Sequence, residues 1–284
     1  MAIVQMQRIN ICALKKNRKA ILERLQELGA MEIDIQLEDD NLGEKQDVAS
    51  SRALFERRAQ TADQALAILN IYVPEKKGML DSLAGKPLVE KELFEKAAEN
   101  QDQYMATASR IVTLDKQIAE SKAAVLKVQN QVEALAPWLS LTVPVSYTGT
   151  QKTAVLIGTM PNPQDQQSIL NLLAGAVPDV EAVDVELIST DKDFTYLAVI
   201  CMKQDAGKVE EVLRTGGFSK PSSPVQKIPE EYKKDLEAEI AKAQEQVKQL
   251  ESELAECAVS RQDLELISDY YRTRAEKNRI LGEI

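Results

Sequence analysis

Two stretches of this chain repeat an apolar residue every seven positions over at least four heptads, and that periodicity constrains the fold more than any other feature. From Leu88 to Ala136 there is neither glycine nor proline. Within that stretch Tyr104, Ile111, Ile118, Val125 and Val132 fall at sevens, and so do Leu114, Ser121, Val128 and Leu135. The two series interleave as the a and d positions of a heptad. A second run, from about Glu230 to Leu281, places Leu236, Ala243, Leu250, Cys257, Leu264 and Tyr271 at sevens, with Ile240, Val247 and Leu254 between them. At about 1.5 Å per residue the runs predict helices of roughly 70 and 80 Å. Pro137-Trp138 closes the first run, and Ile228-Pro229 precedes the second. The simplest expectation is an antiparallel two-helix coiled coil with a seam of Tyr104, Ile111, Ile118, Val125, Val132, Ile240, Val247, Leu250, Leu254 and Cys257. Ser121, Cys257 and Arg261 weaken that seam; polar or small residues there cost stability and fix register, which suits a coil that bends.

The segments around the two runs read differently. Gln5–Ala13 alternates with period two and is strand-like. A helix is expected from about Lys16 to Leu28, its Ala20-Ile21, Leu25 and Leu28 forming an apolar stripe, with Gly29 where a helix C′ residue belongs. Met31, Ile33, Ile35 and Leu37 alternate with Glu32, Asp34 and Gln36 as in a half-buried strand. After an acidic loop at 38–44, Asp47 is the expected N-cap of a helix running to about Tyr72, where Val73-Pro74 stops it. A turn-rich connector holds Lys77-Gly78 and Gly85-Lys86-Pro87. Between the long runs, Thr153–Met160 reads as a strand, and Pro161-Asn162-Pro163 opens a helix with Ile169, Leu172 and Leu173. Glu181–Ile188 alternates cleanly, Thr190-Asp191-Lys192-Asp193 is a turn, and Phe194–Met202 returns as a hairpin strand. A short helix from about Ala206 ends at Gly216-Gly217. The expected fold class is α+β: a long antiparallel coiled coil with a small α/β lobe at each end of the rod. The expected domains are a near lobe at 1–87, a rod at 88–137 and 229–284, and a distal lobe at 138–228. Strand–helix–strand opens both lobes, a weak hint of an internal repeat.

Composition narrows the chemistry. The 284 residues include no histidine, which removes His-based triads, His-ligated metals and imidazole switches. A net charge of −10, from 35 Lys+Arg against 45 Asp+Glu, argues against binding nucleic acid through its phosphates. Aromatics at 4% point to thin cores rather than one thick globule. Cys12, Cys201 and Cys257 are far apart and read as buried small hydrophobes in a reduced compartment. No stretch reaches 18 consecutive apolar residues, and Met1–Arg8 lacks the layout of a signal peptide, so the chain is expected to be soluble and cytosolic.

No phosphate-loop or dinucleotide-binding glycine motif occurs, and Gly216-Gly217 reads as a helix-ending turn. The carboxylates of the long helices fall between seam positions and read as a solvated face. The acidic loop lacks the alternating ligand pattern of a calcium loop. Lys15-Lys16-Asn17-Arg18-Lys19 is read as the exposed start of the first helix, with contact to anionic lipid or an acidic partner as the minority reading. Trp138 is read as a packing residue between coil and lobe. No catalytic, cofactor-binding or metal-binding residue is expected.

Several stretches together resemble subunit I (subunit a) of the V/A-type rotary ATPases. They are Met6–Ile11; Ile21-Leu22-Glu23-Arg24-Leu25-Gln26-Glu27-Leu28-Gly29-Ala30-Met31-Glu32-Ile33; the Pro137-Trp138 junction; Gly158-Thr159-Met160-Pro161; and Tyr270-Tyr271-Arg272 in the returning helix. The resemblance covers essentially the whole chain. It implies the N-terminal cytoplasmic region, with a strand bearing a Gly-Trp-Val-Pro motif and an ion-translocating membrane domain expected beyond Ile284 and the near lobe lacking its final strands. It implies a non-catalytic stator arm at the cytoplasmic face of the membrane, linking peripheral stalks to the membrane sector and resisting torque. The implied partners are the E and G peripheral-stalk subunits, the membrane ring through the absent domain, and, as a further candidate, the central-stalk cap subunit; no nucleic acid is implied. No residue is assigned to stalk binding.

Two other readings compete. A coiled-coil arm with a hinge lobe, as in chromosome-maintenance ATPases, requires a phosphate loop near the N-terminus, and Met1–Ile35 has none. A signalling or hinge protein with a ligand-sensing α+β lobe requires convergent polar groups at 139–228, which the sequence does not single out.

Overall fold

A computed structural model describes residues 6–29, 31, 48–75, 88–222 and 224–283. In chain order the helices and strands are α1 (Arg18–Leu28, after a 3-10 turn at Lys15–Asn17), α2 (Ala49–Tyr72), α3 (Lys91–Glu99), α4 (Gln101–Leu135, followed by a 3-10 turn at Ala136–Trp138), β1 (Thr153–Pro161), α5 (Gln166–Ala176), β2 (Val183–Thr190), β3 (Phe194–Met202), α6 (Ala206–Thr215), α7 (Pro229–Glu256), a 3-10 turn at Cys257–Ser260, and α8 (Arg261–Glu283). The described residues are mostly helical with one three-stranded antiparallel sheet, an α+β arrangement. They fall into two compact units, residues 1–117 with 250–284 and residues 118–249, so both long helices cross from one unit to the other.

The described secondary structure of the first unit is helical. Alanines at 59, 62 and 65 leave α2 with a smooth buried face, extended by Ile68 and Leu69. Such small side chains let a second helix approach closely, and α8 packs along α2. The pairing is antiparallel: Phe55 stacks on Tyr271 near the start of α2, and Val73 just beyond its end meets Arg261 at the start of α8. Ala59, Ala62, Ile267 and Tyr271 form the shared core, flanked by Phe55, Tyr104, Met105 and Tyr270. Phe94 of α3 packs on Tyr270 with ring centroids 5.6 Å apart.

In the second unit the strand order is β1-β3-β2. Central β3 is covered on both faces, which is why it reads as a nearly continuous apolar run. Leu197, Val199 and Cys201 point to α5 and α6, where Ile169, Leu173, Val209, Leu213 and Phe218 complete the core. Ala198 and Tyr196 point the other way, toward Trp138, Leu141 and Val145. The β2–β3 turn is held by Asp191, whose carboxylate accepts from the backbone N–H groups of Asp193 and Phe194 and from the Tyr196 hydroxyl. Asn162 takes a left-handed φ of 63° just after β1, tolerable for its short polar side chain. Buried Thr195 secures that bend by donating to Asn162 O and accepting from Gln164 N–H.

Several sequence expectations need correction. The strand expected at Gln5–Ala13 is not formed in its described part: residues 6–14 are in no strand, and Met6, Ile9 and Ile11 are exposed. A strand needs a partner for its backbone groups, and among the described residues none pairs with this segment. Cys12 is accordingly exposed rather than buried. The helix expected unbroken from Leu88 is two helices separated at Asn100, whose backbone N–H and side-chain amide both donate to Lys96 O. The returning helix is likewise interrupted, by the 3-10 turn at Cys257–Ser260. The N-cap of α2 is Val48, which offers no side-chain cap, and Asp47 lies outside the described residues. So do residues 32–37 of the second expected strand, the acidic loop at 38–44, and Lys77 through Pro87 of the connector. The helix after β1 begins at Gln166, capped by Asp165, rather than at Pro161-Asn162-Pro163.

Candidate functional site

The polar chemistry of the first unit concentrates where α2 meets α8. Arg261 is the most enclosed charge there, with 6% of the residue exposed. Its guanidinium wraps the C-terminal end of α2: Nη2 donates to Val73 O at 2.6 Å and Leu69 O at 3.5 Å, Nη1 donates to Asn70 Oδ1, and Nε lies 3.2 Å from Glu75 Oε1. A helix C-terminus carries unsatisfied carbonyls and partial negative charge, so a cation there both caps and complements it. The planar fork of a guanidinium offers five donors in fixed directions, against three on the compact ammonium of a lysine.

Two further polar ties lie along the same contact. Asp63 accepts from Ser268 Oγ through one carboxylate oxygen and from Arg272 Nη2 through the other, both at 2.6 Å. Tyr271 is fully buried; its hydroxyl accepts from Arg58 Nη1 at 2.8 Å and donates to Gln101 Oε1 at 3.1 Å. Burial pushes the Tyr271 pKa up, with Arg58 partly opposing it. Arg274 lies over the rings of Phe55 and Tyr270 at 5.5 and 5.9 Å, and its buried Nε has no hydrogen-bond partner among the described residues. Between α2 and α8 runs an open groove of about 300 Å³, walled by Arg52, Glu56, Gln60, Asp63, Arg272 and Glu276 with Ala59 and Ala275 beneath. Its charges pair locally: Arg52 with Glu56, Arg272 with Asp63, and Glu276 with Arg279. Caps and counter-ion pairs of this kind hold helices in place. Among the described residues no group of three or more His, Cys, Asp or Glu is placed to hold a metal ion.

The expected seam residues divide by burial. Ile111, Ile118 and Leu254 are fully buried and Val247 nearly so, while Tyr104, Val125, Val132, Ile240, Leu250 and Cys257 are half-buried. Burial, with the charge of Asp263 of α8 beside it, raises the pKa of Tyr104 of α4. Arg110 of α4 pairs with Glu253 of α7 at 2.8 Å. Trp138 packs edge-on against Tyr196 at 5.1 Å, under the sheet rather than in the helix seam. Sequence reasoning missed the roles of Asp63, Arg58 and Gln101, for which periodicity offers no signal. Arg261 and Ser268 did leave one: each stands at a heptad position where an apolar residue is expected.

No family model matches the sequence, and no curated protein matches it. Among solved structures, the chain is similar to the crystal structure of the cytoplasmic N-terminal domain of subunit I, homolog of subunit a, of V-ATPase. The likeness has a TM-score of 0.50 at 19% identity and covers 94% of this chain and 85% of that one. The chain shares that domain's fold. The likeness thus reaches the same subunit whose N-terminal region the sequence motifs resemble. Among the described residues no helix is long and apolar enough to cross a membrane.

Proposed function

We propose that the chain is the cytoplasmic arm of a V/A-type rotary ATPase, a non-catalytic stator element that ties the peripheral stalks to the membrane sector and resists torque. The observation that carries this reading is the fold likeness, which extends over nearly the whole of both chains rather than over one shared lobe. The α2–α8 contact supports it, because caps and counter-ion pairs between helices stiffen a strut. The arm acts without chemistry of its own. It receives the E and G stalk subunits on its lobes and joins the membrane ring through a separate membrane domain.

The rod of this arm is an antiparallel coiled coil of α4 and α7. Two pairs within the first unit, Tyr104 beside the Asp263 charge and Arg110 bonded to Glu253, run in opposite chain directions. Extending their register places Ile118 near Val247 and Val125 near Ile240, which are expected seam residues. Burial of Ile118, Val128, Leu236 and Val247 supports that seam. Recombinant E–G heterodimer is expected to associate with the purified chain measurably by calorimetry, and the chain is expected to turn over no ATP. Robust ATP turnover by a homogeneous preparation contradicts the reading.

A further inference from the structure

Where α7 meets α8 the local disturbance of the helix is weak: the Cys257 thiol, a poor donor, reaches Glu253 O at 3.4 Å. Cys257-Ala258-Val259-Ser260 contains neither glycine nor proline, and the residues on both sides, Glu256 and Arg261, keep right-handed helical dihedrals. The heptad count also runs through without a skip: Leu254, Arg261, Ser268 and Ala275 stand at sevens, and all four are buried. A sequence written for one continuous helix therefore contains four residues wound as a 3-10 turn, with Val259 left 88% exposed. A 3-10 stretch inside a longer helix often marks a hinge or a strained sequence.

Tertiary ties flank the turn on both sides: Arg110 pairs with Glu253 before it, and Arg261 stands after it. Arg261 follows the turn directly, and its guanidinium reaches Leu69 O, Asn70 Oδ1, Val73 O and the Glu75 carboxylate at the end of α2. We infer that Arg261 is a pin that holds Cys257–Ser260 overwound by anchoring the start of α8 to the C-terminus of α2, and that releasing the pin lets α7 and α8 join as one α-helix. A 3-10 turn advances about 120° and 2.0 Å per residue, against about 100° and 1.5 Å in an α-helix. Over the four residues, release turns α8 by about 80° and draws it in by about 2 Å relative to Leu250–Glu256. The element is a screw coupling with two settings, and the acceptors of α2 select the setting seen here. It rests on contacts within this chain and not on the assembly proposed above.

The test is nuclear magnetic resonance of the full chain, reading Hα to HN contacts at residues 257–261. The native chain is expected to show i to i+2 contacts without i to i+4 contacts. Arg261→Met keeps an apolar side chain at a heptad position and removes the pin; i to i+4 contacts are expected to appear, with the α-helical rise in Cα shifts. Glu75→Gln removes only a partly exposed counter-ion and leaves the core intact. It is expected to speed amide exchange at 258–261 by about three- to ten-fold. An i to i+4 pattern in the native chain overturns the pin. So does an unchanged 3-10 pattern in a folded Arg261→Met. If Arg261→Met fails to fold, exchange in Glu75→Gln equal to that of the native chain overturns it.

Discussion

Tyr271 shows how one side chain joins three helices. Its ring lies in the α2–α8 core, and its hydroxyl stands between Arg58 of α2 and Gln101 of α4. Tyr271→Phe keeps the ring and leaves both polar groups without that partner. A loss of about 1–2 kcal/mol is expected, measured as a lower urea midpoint with unchanged slope. Gly158 is set by a different constraint. A Cβ there would sit 2.4 Å from the Phe218 ring and 2.5 Å from Ser219 O, and Ser219 is bonded to Thr159 across that contact. Gly158→Ala must displace backbone as well as a ring, so a cost of at least about 1–3 kcal/mol is expected in the same denaturation. Arg261 belongs to this scale too. Sequence periodicity reads it as a weak point in a seam, and the structure uses the same buried position to cap α2.

At the level of elements, much of the chain was legible because local chemistry and tertiary packing agree. Gly29 follows α1 with φ of +60°, Val73-Pro74 follows α2, and Pro137 stands in the turn after α4. Val183, Val185 and Leu187 alternate with acids because β2, an edge strand of the sheet, packs one face on the helices and leaves the other exposed. That edge is also blunted: Asp184 accepts from the Val185 N–H, Gln166 donates to Val185 O, and the register shifts between Leu187 and Ser189. What stayed illegible depends on distant partners. The alternation before Ala13 has no described strand to join, the break at Asn100 comes with a side-chain amide doubled onto Lys96 O, and the interruption at Cys257 stands beside a contact 188 residues away in sequence. The proposed α4–α7 seam is testable at this scale. With Cys12, Cys201 and Cys257 replaced by serine, the pair Val125→Cys and Ile240→Cys is expected to form a disulfide on mild oxidation. Leu126→Cys with Ile240→Cys, which uses an exposed neighbour, is expected not to. Equal cross-linking of both pairs contradicts the seam.

Across the whole molecule, charge sets how stability follows pH. The Asp165 carboxyl is held low by Ser168, Asp191 by the backbone N–H groups of Asp193 and Phe194, Glu210 by Lys220, and Glu276 by Arg279. Groups lowered on folding add stability above their unfolded values, near pH 4, and lose it as pH falls through the folded ones. Burial raises Cys201, Cys257, Tyr196 and Tyr271, so their contribution is present below about pH 8.5 for the thiols and about pH 10 for the phenols, and is lost as pH rises beyond. With no histidine, nothing shifts between these ranges through an imidazole. The melting temperature is therefore expected to be flat from pH 6 to 8 and to fall below about pH 4 and above about pH 9. A transition centred near pH 6.5 contradicts that assignment.

The stator reading stands or falls on contact with the stalks. The direct measurement is titration of the isotope-labelled chain with unlabelled E–G heterodimer, followed by amide resonances. Weak, saturable shifts are expected in at least one lobe, with the buried amides of the helix seam unmoved. Spectra unchanged at high micromolar heterodimer, with the chain folded throughout, contradict the claim that this chain is a rotary-ATPase arm.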